Sequence, residues 1–367
     1  MNLINKNLQT THYQLLTKLV FIIVIIAVAV EGYVLFQTYR NPAKKYTGPM
    51  EKMTLGVEKS LLPSLVWIAE DKGYFTQNGV EVTIKEFDSG RAAFTAMLNE
   101  GDLDMVTVAQ TPVMFNSFSA KGGSASGGTP DFAIVSAMVS SYNDVFVLAR
   151  RDRGITKPGD LRGKKIGLTK GSTGQYFLGL FLSTNSIQPS EVTEVDIPAG
   201  KLAESITAGA VDAISVWQPH IYNAQKALGD KSITFPTRKI FREDFYFVPN
   251  KKFLQNRPEA IVRFLQALKQ AEEFIQKDTN HKVEARNEAV DIVSKRLGLD
   301  REFVASVWSD YQFGLFLDQT IIQTLEEEAK WAIQNKLTDK TVVPNYFDYI
   351  SVDALRKAAP EKVQIKN

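Results

Sequence analysis

Between Lys52 and Val248 the chain alternates two kinds of local pattern. Short runs that read as strands are followed by turns and then by segments with helical apolar spacing. Met53–Val57 is strand-like, Pro63–Lys72 carries Leu65, Trp67, Ile68 and Ala69 at helical spacing, and Val80–Phe87 alternates as a half-buried strand. Ser89-Gly90 then opens a helix over Arg91–Asn99 that Gly101 closes, and Met105–Ala109 is again strand-like. Strands separated by helices of about ten residues predict parallel βαβ units.

A second unit repeats the plan after strand candidates at Phe132–Met138 and Val145–Arg150. Lys165–Leu168, Val192–Ile197 and Ala213–Val216 read as strands. Gln175–Thr184, Lys201–Thr207 and His220–Ala227 read as helices. Phe245–Val248 is expected to be the last strand, and from Pro258 the chain reads as helical. The amphipathic segments there are Ala260–Lys277, Val283–Arg296 and Gln319–Asn335. Such a helical block needs a sheet to cover, so it is expected to return to the first unit and make that lobe discontinuous. The Gly/Ser-rich stretch Lys121–Pro130 reads as a flexible connection.

Ahead of this body lies Leu19–Val30, an unbroken apolar run that resumes at Tyr33–Phe36 after Glu31-Gly32. Lys6 and Lys18 precede it with no acid between Met1 and Lys18. The stretch 19–36 is long enough to span a bilayer, which takes about 17–25 residues. The order of basic then apolar residues begins a secretory signal or a signal anchor. Ala27-Val28-Ala29 resembles a cleavage site, whereas cleavage there would leave Gly32–Tyr39 as an apolar start. Both versions place the remainder outside the cytoplasm, and the retained version anchors it in the cytoplasmic membrane.

Composition removes several function classes. With 43 Lys+Arg against 41 Asp+Glu the formal net charge is +2, without the basic excess of a nucleic-acid binder. There is no cysteine, which rules out a disulfide scaffold, thiolate zinc or iron–sulfur sites and a thiol nucleophile. The three histidines, His12, His220 and His281, are far apart, so neither a metal site nor a catalytic triad is expected. No cofactor is expected.

In open parallel sheets ligands sit beyond the carboxyl ends of the strands, where helix N-termini supply free N–H groups. Four segments fall there: Glu58–Leu61, Asp88–Arg91, Gln110–Pro112 and Gly171–Gly174. They offer hydroxyls, amides and bare N–H groups but no nucleophile with a partner base. Ser89-Gly90 also reads as a plain helix cap, and Arg91 as a solvated first-turn residue or an anion clamp. Gly171–Gly174 lacks the Lys-Ser/Thr ending of a phosphate-binding loop. Trp217-Gln218-Pro219 reads as an aromatic wall with an amide donor, and Glu326-Glu327-Glu328 as a solvated helical face.

Taken in order, several stretches resemble the periplasmic substrate-binding proteins of ABC transporters of the nitrate/sulfonate/taurine type, the family that also holds thiamine-pyrimidine-precursor binders. They are Pro63–Ala69 with Lys72–Phe75, Gly79–Val82, Ser89–Ala93, Leu98–Asp104, Leu161–Gly167, Gly171–Thr173, Ala208–Ala213 and Trp217–Pro219. The resemblance implies an α/β chain with the type II periplasmic-binding-protein fold, two lobes on a two-stranded hinge, preceded here by the N-terminal membrane helix. The expected boundaries are 1–40 for the anchor, 41–51 for a linker, 52–147 with 249–350 for the first lobe, 148–248 for the second, and 351–367 for a tail. Crossovers are expected near Tyr142–Arg150 and Tyr246–Lys252.

The resemblance further implies a non-enzymatic solute-binding component that delivers a small ligand to an ABC permease and its ATPase. Ser60, Leu61, Ser89, Gly90, Arg91, Gln110, Thr111, Ser172, Thr173, Gly174, Trp217 and Gln218 are the residues it places in the interlobe cleft. Many relatives have an acid at the position of Gln218. Its neutrality leads to the expectation of an anionic or neutral polar ligand, such as a sulfonate, nitrate, a carboxylate or a pyrimidine-like ring. The alternatives are a membrane-anchored ligand sensor, which the short Met1–Lys18 tail disfavours, and an enzyme on the same fold. The eukaryotic pyrimidine synthases of the family carry a Cys-rich motif that this chain lacks.

Overall fold

Two sheets, each faced by helices, organise the unit Gly48–Asn367 in the computed structural model, which describes residues 46–119, 130–237, 239–276 and 282–365. The apolar segment 19–36 and most of the Gly/Ser stretch Lys121–Pro130 lie outside the described residues, so the expected anchor does too. Among the described residues no helix is long and apolar enough to cross a membrane.

The first lobe begins with β1 (Glu51–Glu58), α1 (Ser64–Asp71), α2 (Tyr74–Gln77), β2 (Val80–Phe87), α3 (Gly90–Glu100), β3 (Met105–Ala109) and α4 (Gln110–Ser117), then reaches β4 (Ser136–Ser141). β1 runs parallel to β2 and β3. The strand expected over Phe132–Met138 starts late, because Phe132 and Ile134 make only single bridges, to Asn250 and Ile350.

The chain then crosses at Tyr142–Asp144 into the second lobe. This lobe holds β5 (Val145–Arg150), β6 (Lys165–Leu168), α5 (Thr173–Thr184), β7 (Thr193–Asp196), α6 (Ala199–Thr207), β8 (Ala213–Trp217), α7 (His220–Leu228) and β9 (Ser232–Thr234). Its sheet order is β7-β6-β8-β5-β9.

The return crossover is Phe235–Arg242, not the expected Tyr246–Lys252. β10 (Glu243–Pro249) already belongs to the first sheet, antiparallel to both β3 and β4. The apolar strand Phe245–Val248 was read correctly, but its partners could not be inferred from its own pattern. Thr237 ties the two crossovers together by donating to Asn143 Oδ1 at 2.8 Å.

The remaining elements are α8 (Lys251–Asn256), α9 (Pro258–Ile275), α10 (Lys282–Leu297), α11 (Arg301–Val307), β11 (Tyr311–Phe316), α12 (Gln319–Gln334) and α13 (Asp353–Ala358). They are not all helical, as expected from the sequence: β11 pairs with β4 at the sheet edge, its Tyr311, Phe313 and Leu315 turned inward. The first sheet therefore reads β11-β4-β10-β3-β1-β2. The block returns to the first lobe because α9 is amphipathic and buries Ile261, Phe264, Leu265 and Leu268 against α1, α2 and β11.

Each lobe has its own apolar core. Trp331 of α12 packs against both.

Candidate functional site

The lobes meet face to face at the carboxyl ends of β1, β3 and β8. The meeting is tight. A cavity of about 10 Å³, room for roughly one water, is lined by Glu58, Gly90, Arg91, Ala109, Pro112 and Glu243 of the first lobe and by Ser172, Thr173 and Trp217 of the second. Arg91 also lines an outer pocket of about 470 Å³ with Lys170, Gly171, Gln175 and Glu194. A larger pocket, about 720 Å³, lies beyond the C-terminus of α3, away from the strand ends that bear the polar cluster.

Glu58 ends β1, and its Oε2 accepts from the Gly90 backbone N–H at 2.5 Å, so a carboxylate of the chain itself fills the N-terminus of α3. Gly90 also lets the start of α3 sit against β3: a Cβ there would stand 2.9 Å from the Thr107 carbonyl oxygen and from the Val108 Cα. Burial pushes Glu58 up to about 7. The Gly90 N–H, the Ser60 hydroxyl and the Trp217 indole pull it down, while Asp144 adds to the rise. The Ser60 hydroxyl, the Trp217 N–H and Glu58 Oε1 all lack a partner in hydrogen-bond geometry.

Asp144, in the first crossover, accepts from the Tyr311 hydroxyl and is pushed by burial up to about 7. Glu243 begins β10 opposite Ser141 and faces Asp144. Burial and the charges of Asp144 and Glu58 hold its carboxyl well above the ordinary range. Asp144 Oδ2 and Glu243 Oε2 are buried without a hydrogen-bond partner.

Of the expected set, Gly90, Arg91, Ser172, Thr173 and Trp217 line the cavity, and Ser60 stands just behind it with its hydroxyl beside Glu58. Leu61 is fully buried in the first lobe's core. Ser60 is buried with its carbonyl accepting from the Trp67 indole at 3.1 Å. Ser89 Oγ caps α3 by accepting from Ala92 N–H. Gln110 is occupied in holding the return crossover: its Nε2 donates to the Arg242 carbonyl and its Oε1 accepts from Asp244 N–H. Thr111 is buried beside Glu328. Gly174 packs α5 on β8, since a Cβ there would meet the Ser215 carbonyl oxygen at 2.5 Å. Gln218 caps α7 through its Oε1, which accepts from Tyr222 N–H.

Sequence reasoning missed Glu58, Asp144 and Glu243. Glu58 opens the Glu58–Leu61 segment, but nothing in its neighbours announces that it is buried. Asp144 and Glu243 lie almost a hundred residues apart and meet only because β4 and β10 are neighbours. The charge balance of the cleft consequently differs from what Gln218 alone suggested. The acidic run was also misjudged: Glu328 is fully buried, not solvated, and burial raises it well above its ordinary value. Among the described residues no group of His, Asp and Glu is arranged to hold a metal ion.

Interlobe contacts surround the cavity. Tyr176 of α5 meets the Trp331 ring edge-on at 4.9 Å between centroids. Tyr222 of α7 stacks on Phe303 of α11 at 3.8 Å, and Asp300 accepts from Tyr222 and from Lys226.

Two sheeted lobes joined by two crossovers, with polar groups of both converging on the seam, define a mixed α/β protein of the periplasmic-binding-protein fold. The chain belongs to the NMT1/THI5-like family, whose profile matches residues 64–281. It is 26% identical over 317 residues to a protein of Bacillus subtilis (strain 168) provisionally named an aliphatic sulfonates-binding protein, covering 85% of this chain and 89% of that one. It is 25% identical over 240 residues to a 4-amino-5-hydroxymethyl-2-methylpyrimidine phosphate synthase of Saccharomyces cerevisiae (strain ATCC 204508 / S288c), covering 62% and 66%. Among solved structures, the alkanesulfonate-binding protein SsuA from Xanthomonas axonopodis pv. citri, bound to MOPS, superposes with a TM-score of 0.64 at 18% identity, covering 81% of this chain and 97% of that one.

Proposed function

We propose that this chain is the extracytoplasmic solute-binding component of an ABC importer, which captures a small polar ligand between its lobes and delivers it to a permease without transforming it. The observation that carries the reading is the seam itself. Buried polar groups of the two lobes, Glu58 and Glu243 on one side and Ser172, Thr173 and Trp217 on the other, line one cavity. Lobes parted about the two crossovers would admit a ligand, and closure would then report its presence to a partner.

The similarity to a sulfonate-binding relative supports a role in uptake. The enzyme reading draws on the yeast synthase. It finds no cysteine in this chain to supply the motif expected of such enzymes. The N-terminal apolar segment, retained, would hold the binding unit beside its permease and raise its local concentration.

The test is a melting-temperature screen of the full chain against sulfonates, nitrate, carboxylates, amines and pyrimidines. A ligand bound only by the folded state raises stability by mass action. One compound that stabilises the protein, emerges chemically unchanged, and loses its effect in Trp217→Ala is the expected result. Turnover of that compound would overturn the reading.

A further inference from the structure

We propose that the inner cleft selects an organic cation, a protonated amine whose N–H groups are received by Glu58 and Glu243. The inference rests on the solute-binding reading and goes further by naming the charge and the head group of the ligand. Glu58 Oε1 and Glu243 Oε2 are buried acceptors without a partner in hydrogen-bond geometry, although Ser60 and Trp217 lie beside the first and Thr173 beside the second; the residues are 3% and 1% exposed, and both line the cavity. Asp144 stands behind Glu243 and adds a third carboxyl. Buried polar atoms without partners are rare in folded proteins, and an ammonium group is a compact carrier of up to three donors.

The Trp217 side chain, 3% exposed, lines the same cavity, and its indole N–H is the donor that faces Glu58 from the second lobe, so the carboxylate stands within reach of both lobes. An anion placed there would meet three buried carboxyl groups, and the helix N-terminus that could have received it is already taken by Glu58. A metal ion is disfavoured because no acid or histidine group among the described residues is arranged to coordinate one.

Size adds a constraint. About 10 Å³ accommodates a head group no larger than a water or an ammonium. The body of the ligand would extend past Arg91, which lines both cavities, into the outer pocket of about 470 Å³. Arg91 is exposed, so its charge at the mouth is screened by solvent. Burial that holds Glu58 near 7 is relieved by a neighbouring cation, so binding would release a proton.

Calorimetry of the full chain with n-butylammonium, n-butanesulfonate and 1-butanol, three probes of similar size, tests the inference. Butylammonium is expected to bind at least tenfold tighter than the other two. Glu58→Gln and Glu243→Gln are each expected to cut its affinity at least tenfold, with melting curves showing that both variants fold. Should the variants not fold, the preference of the unaltered protein among the three probes decides. Failure of butylammonium to bind, preference for butanesulfonate, or indifference of folded variants to the loss of either carboxylate would overturn the cation. Butanesulfonate binding in the cleft would leave the solute-binding reading standing, whereas failure of every compound in the wider screen would remove both.

Discussion

Gly179 of the second lobe lies directly under the Trp331 ring of the first, so close that a Cβ at Gly179 would stand 2.8 Å from the ring carbon Cζ2. The absence of a side chain on that face of α5 is what permits the approach. Gly179→Val is expected to hold the lobes apart, because the clash is with the Trp331 ring of the other lobe. Small-angle scattering should show a larger radius of gyration, and ligand affinity should fall about tenfold, or ~1.4 kcal/mol taken from the closed state. Adding Trp331→Ala should restore compaction. A variant that scatters like the parent would contradict this account of closure.

The buried carboxyls make stability depend on pH in an unusual direction. Glu58 and Asp144 titrate near 7 in the folded protein, above their ordinary values of 4.5 and 3.8. A group raised in this way contributes stability fully present below its unfolded value and lost as the pH climbs through its folded value. Without ligand, the melting temperature should therefore fall between pH 5 and pH 8. Glu58 alone would account for a loss on the order of 3 kcal/mol, at 1.36 kcal/mol for each pKa unit. Glu58→Gln should make the fall shallower, leaving the part due to Asp144. A melting temperature that rises across this interval would rule out buried, raised acids.

Trp217→Ala should weaken ligand binding, since the ring borders the cavity at the end of β8; because it also belongs to the second lobe's core, the melting temperature should fall while the protein still folds. Ser172→Ala should also weaken it, for a less direct reason. The Ser172 hydroxyl donates to the Thr169 carbonyl at 2.6 Å and so shapes the turn that presents the α5 N-terminus. Unchanged affinity in both variants, measured by calorimetry, would displace the site from this seam.

Glu326 and Glu328 should respond differently to substitution although they sit two residues apart. Glu326 is partly exposed and pairs loosely with Lys330 at 3.9 Å, so Glu326→Ala should change neither affinity nor melting temperature measurably. Glu328 is buried near Asp244, Gln110 and Thr111 and is held in its protonated form. Glu328→Gln should gain on the parent as the pH rises, because the amide has no proton to lose while the buried acid must give one up. Parent and Glu328→Gln denaturation profiles that keep a constant offset from acid to alkaline pH would refute the buried-acid assignment.

The lobes were largely legible because their elements are local. Val80–Phe87 announces itself by alternation and α3 by its Ser89 cap and Gly101 stop. β11 was overlooked although Tyr311, Phe313 and Leu315 alternate, since long helices on either side set the expectation. The site was harder. Helix starts such as Ser172-Thr173 could be found from turn chemistry. Which of their atoms face the seam depends on hydrogen bonds that form only in the fold, as when Gln218 turns its oxygen to Tyr222 N–H. Pairing of Asp144 with Glu243 is a property of sheet order, which no local pattern encodes.

The chain leaves the first sheet at Ser141 and re-enters it at Glu243, and those two residues are register partners on adjacent strands. Everything from Tyr142 to Arg242 is thus an excursion that begins and ends at one spot. Such an arrangement could be exchanged as a cassette: a relative's excursion, spliced between the same two strand ends, would keep Glu58, Glu243 and the outer scaffold and replace Asp144 together with the wall bearing Trp217. Selectivity in this architecture can then be revised by recombination, one half of the grip at a time.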